Sequence, residues 1–331
     1  MTGEPLIPKL TKRVHSSLAG YNFSVEFEAE VAHLCNAFAN LKAESDVIES
    51  LKAFVNVDPK KLDSVLQWVE SGSFHQRHGD SHIWLSSQPR FLEWLSPISF
   101  GSQEISEAKV IFDRSEGLDG SLSARPCRET ISLWAANLGI IPIHASCIAL
   151  GGRALLMLGK GGSGKTTTAL ALAKRGWDLL ADDLCFIYHD GPQTMVASLY
   201  ATALVTQNSL NRLQASLWED LGNTHHGKSA RRLPPNINIV TEAELAGMVW
   251  VSQNVGDLYK PKFLNRSQAL VPLQAAFAPA LQARGPSENL VNQLAGLSRS
   301  APTWNMRLDW EFDRIDHALR ELINRTSTLC V

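Results

Sequence analysis

One stretch of sequence decides the fold: Gly159-Lys160-Gly161-Gly162-Ser163-Gly164-Lys165-Thr166. It matches the phosphate-loop pattern G-x-x-x-x-G-K-[ST] at every fixed position. Glycines allow backbone conformations in which consecutive N–H groups point at phosphate oxygens, so the loop itself becomes an anion site. Lys165 is expected to place its charge on the β- and γ-phosphates, and the Thr166 hydroxyl to ligate Mg²⁺. The predicted nucleotide-binding residues are Gly159, Lys160, Gly161, Gly162, Ser163, Gly164, Lys165, Thr166 and Thr167.

The residues on both sides of the loop have the pattern of a nucleotide-binding α/β core. Upstream, residues 142–150 are largely apolar and residues 154–158 fully so, and they predict two strands joined by a two-glycine turn. Downstream, residues 166–174 predict a helix, and residues 179–181 begin another buried strand. A glycine-rich turn that binds no ligand would have an apolar strand before it and a helix after it only by coincidence. The order of elements therefore favours a nucleotide site.

Two adjacent carboxylates, Asp182 and Asp183, follow the last of these strands. An acidic pair at the end of a strand is by itself more often a helix cap or a turn. At this distance after a phosphate loop, however, one carboxylate can hold Mg²⁺ and the other can accept a proton from an attacking hydroxyl. The spacing favours the functional interpretation.

His144 lies in the apolar run Ile143-His144-Ala145-Ser146, ahead of the phosphate loop. A lone histidine in an apolar strand is more often a satisfied core residue than a functional one. Its position in the sequence alone therefore favours a structural role.

The run from about Ile141 to Asp183 resembles a known family. IHASCIAL, a Gly-Gly turn and ALLMLGKGGSGKTTTALALAKRGWDLLADDL are similar to the catalytic core of the HPr serine kinase/phosphorylases and their relatives, among them kinases encoded beside lasso-peptide pathways. The most specific part is R-G-x-x-L-x-A-D-D, Arg175 to Asp183. The His144-Ala145-Ser146 stretch also resembles the corresponding strand of ATP-dependent phosphoenolpyruvate carboxykinases. The resemblance implies an α/β fold with a phosphoenolpyruvate carboxykinase-like phosphate-loop core and a mixed sheet.

The resemblance also implies roles for individual residues. Lys165 would stabilise the transferring phosphoryl group, and Thr166 and Asp183 would hold Mg²⁺. Asp182 would act as general base toward a serine hydroxyl, and His144 would line the reacting centre. ATP and Mg²⁺ are the implied cofactors.

The function expected from these residues is an ATP- and Mg²⁺-dependent kinase that phosphorylates a serine-type hydroxyl of a peptide or protein. The chain lacks the downstream Glu-Arg-Gly signature of the true HPr kinase/phosphorylases, which argues against HPr as the acceptor. Two alternatives remain open: a small-molecule phosphotransferase and a regulatory protein that binds ATP without transferring its phosphate. Phosphate transfer to a peptide would distinguish a peptide or protein kinase from both of these alternatives.

The chain on both sides of the core predicts two domains. Residues 1–115 are expected to form a smaller α+β domain that recognises the acceptor, with a helical apolar pattern at Val31, Leu34, Phe38 and Leu41. Residues 82–85 and 108–112 predict short strands. Residues 116–127, rich in Gly, Ser and Pro, are expected to form the boundary or an exposed connection. The kinase domain is expected over residues 126–331, beginning with a helix at 130–138.

Composition limits the partners and the location. The 331 residues are 44% hydrophobic and 19% charged, which is typical of a folded globular protein. A formal charge of −2 argues against a non-specific nucleic-acid binder. Five scattered cysteines, and no apolar run long enough to span a bilayer, favour a soluble cytoplasmic protein without a membrane partner. A homo-oligomer is compatible with this composition, and nothing in it requires one.

Three other features of the sequence have a structural explanation. Residues 228–232, KSARR, form a basic run that could hold an anion, although a solvated surface loop is the commoner explanation. His75, His78 and His82 have no cysteine or helix to align them, which favours a turn over a metal site. The C-terminal helix carries its apolar residues on one face and is expected to pack against the sheet: Ile315, Leu319 and Leu322.

Overall fold

The computed structural model describes residues 11–39, 50–66, 73–78, 81–87, 90–100, 103–114, 116–252, 258–284 and 288–328. Within these ranges the chain has a mixed α/β architecture with three β-sheets. No helix in the described part of the chain combines the length and the apolar character that crossing a membrane requires.

The N-terminal sheet has the strand order β1-β2-β3-β7-β6-β5-β4 over the described residues. The strand bounds are β1 (Thr11–Leu18), β2 (Tyr21–Glu28), β3 (Leu51–Val57), β4 (Ser73–His78), β5 (Ser81–Ser87), β6 (Arg90–Phe100) and β7 (Gln103–Phe112). Strand β3 is parallel to both β2 and β7, and the other pairs are antiparallel. A 3-10 helix, Ala29–Ala37, follows β2, and helix α1, Pro59–Leu66, follows β3.

One face of the N-terminal sheet is apolar. On β2, the fully buried residues Phe23, Val25 and Phe27 alternate with polar ones, which is the period-two pattern of a strand with one covered face. The ring of Phe23 meets that of Trp134, with centroids 5.6 Å apart. Because Trp134 belongs to the chain after the N-terminal sheet, the two parts of the molecule share one hydrophobic core.

The central sheet has nine strands in the described chain. Their bounds are β8 (Ile141–Ile143), β9 (Ser146–Leu150), β10 (Arg153–Leu158), β11 (Asp178–Ala181), β12 (Cys185–Asp190), β13 (Gln193–Ala197), β17 (Glu242–Ser252), β18 (Lys262–Leu264) and β19 (Thr303–Arg307). Seven follow the order β11-β9-β10-β17-β13-β12-β8, and β19 pairs with both β17 and β18. Strands β10 and β19 lie parallel to β17, whereas β9 and β13 pair antiparallel with their neighbours.

Helices cover both faces of the central sheet. The remaining helices are α2 (Gly120–Ala124), α3 (Arg128–Asn137), α4 (Lys165–Ala173), α5 (Gln207–Leu213), α6 (Arg266–Arg284), α7 (Glu288–Ser300) and α8 (Phe312–Thr328). Helices α4, α5 and α8 pack on the face that contains Leu155 and Met157, and α6 and α7 pack on the face that contains Leu156 and Leu158. A strand covered on both sides is apolar without interruption, which explains the run Ala154–Leu158.

A small third sheet completes the fold. It consists of β14 (Thr202–Val205), β15 (Asp220–Asn223) and β16 (Ser229–Arg232) in the order β14-β16-β15. Helix α2 packs against all three strands. This sheet therefore connects the segment before the phosphate loop to the segment after the acidic pair.

Several elements predicted from the sequence are confirmed. The helix predicted at residues 130–138 is α3, the strands predicted at 154–158 and 179–181 are β10 and β11, and the helix after the phosphate loop is α4. Helix α8 packs against α4 and β17, as its apolar face predicted. Each of these elements has a strong local pattern.

The strand predicted at residues 142–150 is wrong as a single element. Strand β8 ends at Ile143 and pairs with β12, whereas β9 begins at Ser146 and pairs with β10 and β11. The chain changes pairing partner at His144 and Ala145, which belong to neither strand. Apart from His144 and Ser146, residues 142–150 are apolar, and isolated polar residues in an apolar run do not by themselves predict a break.

The N-terminal expectations are confirmed in part. Residues 82–85 and 108–112 lie within β5 and β7. Val31 and Leu34 are buried, as the helical pattern predicted. They lie in a 3-10 helix, which follows β2 and precedes β3 in the sequence. Leu41 lies outside the described residues.

The connection predicted at residues 116–127 is not exposed over its second half. Every residue from Leu122 to Cys127 is buried, and α2 forms within the segment. The small side chains that make the sequence look like a linker here allow close packing of α2 against the third sheet: a Cβ added to Gly120 would lie 2.5 Å from the carbonyl oxygen of Gly222.

Candidate active site

Three chain segments reach the same edge of the central sheet. Strand β9 is antiparallel to both β10 and β11, so those two strands run in the same direction on either side of it. Met157, near the end of β10, pairs with Ser146 at the start of β9, and Ala181 at the end of β11 pairs with Cys147. The phosphate loop after β10, the residue His144 before β9 and the acidic pair after β11 therefore converge at this edge.

The phosphate loop has the backbone that its glycines permit. Gly164 has a φ of +99°, in the left-handed region that favours glycine. Gly159 approaches the end of β17 so closely that a Cβ there would lie 2.6 Å from the carbonyl oxygen of Val251. Both positions therefore require glycine.

Two polar side chains of the loop, those of Lys165 and Ser163, are buried. The Lys165 ammonium donates to the carbonyl oxygens of Gly159, at 2.7 Å, and Lys160, at 3.2 Å. Burial lowers the pKa of Lys165, while Asp182 acts in the opposite direction. The Ser163 hydroxyl is buried and has no hydrogen-bond partner among the described residues. A buried hydroxyl without a partner is a binding group for a polar ligand.

Asp182 is held by donors from three elements. Its Oδ1 accepts hydrogen bonds from the hydroxyls of Thr166, at 2.6 Å, and Ser146, at 3.0 Å. Its Oδ2 accepts from the backbone N–H of Leu204 at 2.9 Å. The side chain is buried. Asp182 is thus fixed beside the threonine of the phosphate loop.

Asp183 turns in another direction. It has a φ of +77°, which non-glycine residues rarely adopt. Its Oδ1 lies 3.1 Å from Nδ1 of His144, and its Oδ2 lies 2.7 Å from Nη1 of Arg125. Burial would raise the pKa of Asp183, but Arg125, His144 and Arg128 outweigh it and hold the pKa well below its ordinary value. Asp183 is therefore a carboxylate at neutral pH.

His144 forms a carboxylate–imidazole pair with Asp183. Burial lowers the pKa of His144, and the opposing charge of Asp183 does not compensate. His144 is therefore neutral at pH 7. Because a carboxylate can only accept, we assign the imidazole proton to Nδ1, which leaves the lone pair on Nε2. The side chain is one-third exposed at the site, so Nε2 can receive a proton from a ligand.

Arg125 is the residue of this site that the sequence analysis missed. Its side chain is fully buried, 2.7 Å from Asp183 and 3.6 Å from Asp182. These contacts are ion pairs without hydrogen-bond alignment. Arg125 lies in the segment interpreted as a linker, far from the phosphate loop in sequence, and an isolated arginine between Ala124 and Pro126 has no periodic pattern to identify it.

Thr167 is the one predicted phosphate-site residue whose hydroxyl the structure places elsewhere. Its Oγ1 lies 2.6 Å from the Ser209 hydroxyl at the start of α5, and Ser209 also contacts the N-cap residue Thr206. Thr167 therefore connects α4 to α5 through its side chain. The structure brings together the other residues on which the prediction rested, Lys165, Thr166, Asp182, Asp183 and His144.

Comparison with known proteins gives limited information. Residues 122–215, less than a third of the chain, match the family model described as SynChlorMet cassette protein ScmC. A search of curated proteins gave no match. Among solved structures, the chain is similar to the Hpr(Ser) kinase/phosphatase from Coxiella burnetii, with 13% identity and a TM-score of 0.35 over 56% of this chain and 98% of that chain. A likeness at this level supports no statement about function.

Proposed function

We propose that this protein is an ATP- and Mg²⁺-dependent kinase that transfers the γ-phosphoryl group to a serine-type hydroxyl of a peptide or protein. One observation carries the proposal: the His144–Asp183 pair lies at the sheet edge where Thr166 of the phosphate loop is hydrogen-bonded to Asp182. Nucleotide binding alone needs the loop, but it does not need a neutral imidazole held by a carboxylate beside it. The resemblance of residues 141–183 to HPr kinase-like enzymes supports the same class.

The phosphate loop fits the phosphates of a nucleotide. The Ser163 hydroxyl supplies a buried donor without a partner, and the Lys165 ammonium is held at the loop by carbonyl oxygens alone. The loop leads directly into α4, whose N-terminus favours negative charge. Exchange of the Lys165 hydrogen bonds from carbonyl to phosphate oxygens would be favourable, because bonds between charged partners are the stronger ones.

Thr166 and Asp182 fit a Mg²⁺ ion. They supply a hydroxyl and a carboxylate oxygen in contact, and Mg²⁺ prefers oxygen ligands. Mg²⁺ bound there would neutralise charge on the β- and γ-phosphates. The resemblance assigned the metal to Asp183, but the contact with Thr166 favours Asp182 for that role.

The geometry also favours His144 over Asp182 as proton acceptor. Both oxygens of Asp182 already accept hydrogen bonds, from Thr166, Ser146 and Leu204. His144 has a lone pair on Nε2, and Asp183 fixes its tautomer and would stabilise the imidazolium. We therefore propose that His144 takes the proton of the attacking hydroxyl and that Asp183 positions it.

The acceptor is proposed to bind the N-terminal unit, residues 1–115. Among the described residues, those that contact Asp182 and Asp183 come from position 125 onward, so no described residue of the N-terminal sheet contacts either carboxylate. A seven-stranded sheet outside the reacting centre offers a surface of the size that a peptide or protein needs.

The test is intact-mass and nucleotide analysis after incubation with Mg-ATP, with and without peptides encoded by neighbouring genes. We expect wild type to add one phosphate to a peptide, and Lys165→Ala and His144→Ala to reduce the rate by about 100-fold or more. Arg325→Gln, a change of an exposed arginine near the end of α8, is the control and should react like wild type.

Other outcomes would identify the alternatives. Equal transfer by wild type, Lys165→Ala and Asp182→Asn would contradict the kinase assignment. Phosphate on a free metabolite, with peptides untouched, would indicate a small-molecule phosphotransferase. ATP that is bound but never consumed, with a change in oligomeric state, would indicate a regulatory protein.

A further inference from the structure

The hairpin loop Thr224–Lys228 joins β15 to β16 and has a fixed conformation. The N–H of Thr224 donates to the carbonyl oxygen of Lys228 at 2.7 Å, and the N–H of Lys228 donates to the Thr224 hydroxyl at 3.1 Å. The Asp119 carboxylate accepts from the N–H of His225 at 2.7 Å and lies 3.2 Å from its Nδ1. The hairpin loop is therefore attached to the start of α2.

Strand pairing places this hairpin loop next to the reacting centre. Leu204, whose N–H donates to Asp182, pairs with Ala230 of β16. Lys228 lies two residues before Ala230 in the sequence and directly precedes the first residue of β16. The hairpin loop therefore projects from the end of the third sheet that adjoins the acidic pair.

Strand register also brings Lys228 close to the start of α5. Ser229, the residue after Lys228, pairs with Val205, which directly precedes Thr206, the N-cap residue of α5. Ser209 of α5 in turn shares a hydrogen bond with Thr167 in the first turn of α4. Lys228 is therefore adjacent to a strand that contacts Asp182 through Leu204 and leads into the helix that contacts α4.

Within the basic run 228–232, Lys228 differs from its neighbours. Arg231 is paired with Asp220 at 3.2 Å, and Arg232 with Glu219 at 3.0 Å. Over the described part of the chain, no side-chain hydrogen bond or ion pair is found for Lys228. The two arginines stabilise the third sheet, and the lysine is available to a ligand.

We propose that Lys228 is a second lysine of the phosphate site and, together with Lys165, binds the γ-phosphate of a nucleoside triphosphate. The inference rests on the kinase function proposed above. Two ammonium groups repel each other unless an anion lies between them. The site's carboxylates already have partners in Thr166, Arg125 and His144, so a dianionic γ-phosphate is the ligand that balances both lysines. ADP lacks this group and would not reach Lys228.

The experiment compares binding of the β,γ-imido analogue of ATP with binding of ADP, each with Mg²⁺, by calorimetry. We expect Lys228→Gln to weaken binding of the triphosphate analogue about tenfold or more, as loss of one charged hydrogen bond predicts, and to change ADP binding less than twofold. Lys228→Arg should retain most of the triphosphate affinity. Lys52→Gln carries the same charge change at an exposed position and should leave both affinities unchanged.

Equal weakening of both nucleotides by Lys228→Gln, or no weakening of either, would overturn this role for Lys228 and leave the kinase proposal intact. Failure of wild type to bind either nucleotide would overturn both. Because Lys228 is half-buried and has no side-chain partner among the residues that the structure describes, a thermal unfolding curve should show that Lys228→Gln is as stable as wild type.

Discussion

Asp182 and Asp183 are adjacent in sequence but have different partners. Asp182 is buried among hydrogen-bond donors beside Thr166, whereas Asp183 faces His144 and Arg125. The φ of +77° at Asp183 separates the two carboxylates, because it turns the chain immediately after β11. Strained backbone of this kind is stabilised only by surrounding contacts and is concentrated at functional sites. The same residue type can therefore serve two purposes at neighbouring positions.

His144 should determine how kcat depends on pH on the acidic side of the pH–rate profile, here called the acidic limb. Because its pKa is lowered by burial, we expect kcat to rise with pH and to level off after a midpoint below 6.5. Protonation of Nε2 at lower pH removes the lone pair that receives the hydroxyl proton. The residual activity of His144→Gln should lack this limb, whereas that of Asp182→Asn should retain it. A limb that survives in His144→Gln would exclude His144 as the proton acceptor.

Arg125 should be important for stability as well as for the site. Arg125→Met leaves Asp183 buried without its nearest cation, and removing one partner of a buried ion pair costs about 3–5 kcal/mol. We expect urea unfolding to show a loss of that size. Arg114→Met removes an exposed arginine paired with Asp113, so its change should stay within about 1 kcal/mol. Equal stability of Arg125→Met and wild type would contradict the assigned ion pair.

Glu93 should make folding sensitive to pH. Burial raises its pKa to about 7, with Glu129 acting in the same direction against two hydrogen bonds from Thr130. Between its ordinary value of 4.5 and 7, the folded protein holds a proton on Glu93 that the unfolded chain has lost. The free energy of unfolding should therefore fall by about 3 kcal/mol as the pH rises through this window.

Glu93→Gln provides the comparison, because glutamine can still accept both Thr130 hydrogen bonds but does not titrate. Denaturant unfolding of both proteins at several pH values should show a shallower decline for the variant. Parallel curves would mean that Glu93 does not titrate in this range.

At the scale of single elements, α2 depends on a close approach to β15. A Cβ on Gly120 would lie 2.5 Å from the carbonyl oxygen of Gly222 and 2.9 Å from Cβ of Ala230. Both neighbours belong to the third sheet and cannot move independently. The helix that precedes Arg125 is therefore positioned by a residue without a side chain.

Gly120→Ala should lower the free energy of unfolding by about 1–3 kcal/mol, as overpacking does, and should also reduce phosphate transfer, because α2 carries Arg125. Gly296→Ala is the matched control: Gly296 lies in α7 with open space around it, so alanine should be neutral or stabilise by about 0.5–1 kcal/mol. Thermal unfolding of both variants tests this. A Gly120→Ala protein as stable as wild type would show that α2 can shift without loss.

At the scale of the whole molecule, the N-terminal sheet and the phosphate-loop core are not independent. Phe23 and Phe38 pack against Trp134 and Tyr200, which belong to the chain after the N-terminal sheet. Glu93 of β6 also accepts two hydrogen bonds from Thr130 of α3. The hydrophobic core of one unit thus extends into the other.

Deletion of residues 1–115 should therefore destabilise the remainder. The deletion exposes Trp134 and Tyr200, which are now 1% and 4% exposed, and such a surface promotes aggregation. We expect residues 116–331 alone to show no cooperative thermal transition by circular dichroism, with the full chain as the control. A cooperative transition at the wild-type temperature would show that the core folds without its N-terminal partner.

The sequence by itself determined the phosphate loop, the helix α4 after it and the strands β10 and β11, because glycine conformations and apolar periodicity depend on near neighbours. It also located the acidic pair and His144. Only the tertiary structure decided that Asp182 contacts Thr166, that Asp183 pairs with His144 and that Arg125 reaches both carboxylates. These contacts join distant segments, and they depend on strand pairing, on the break between β8 and β9 and on the packing of α2. No local pattern in the sequence contains that information, because the residues involved become neighbours only when the sheets assemble.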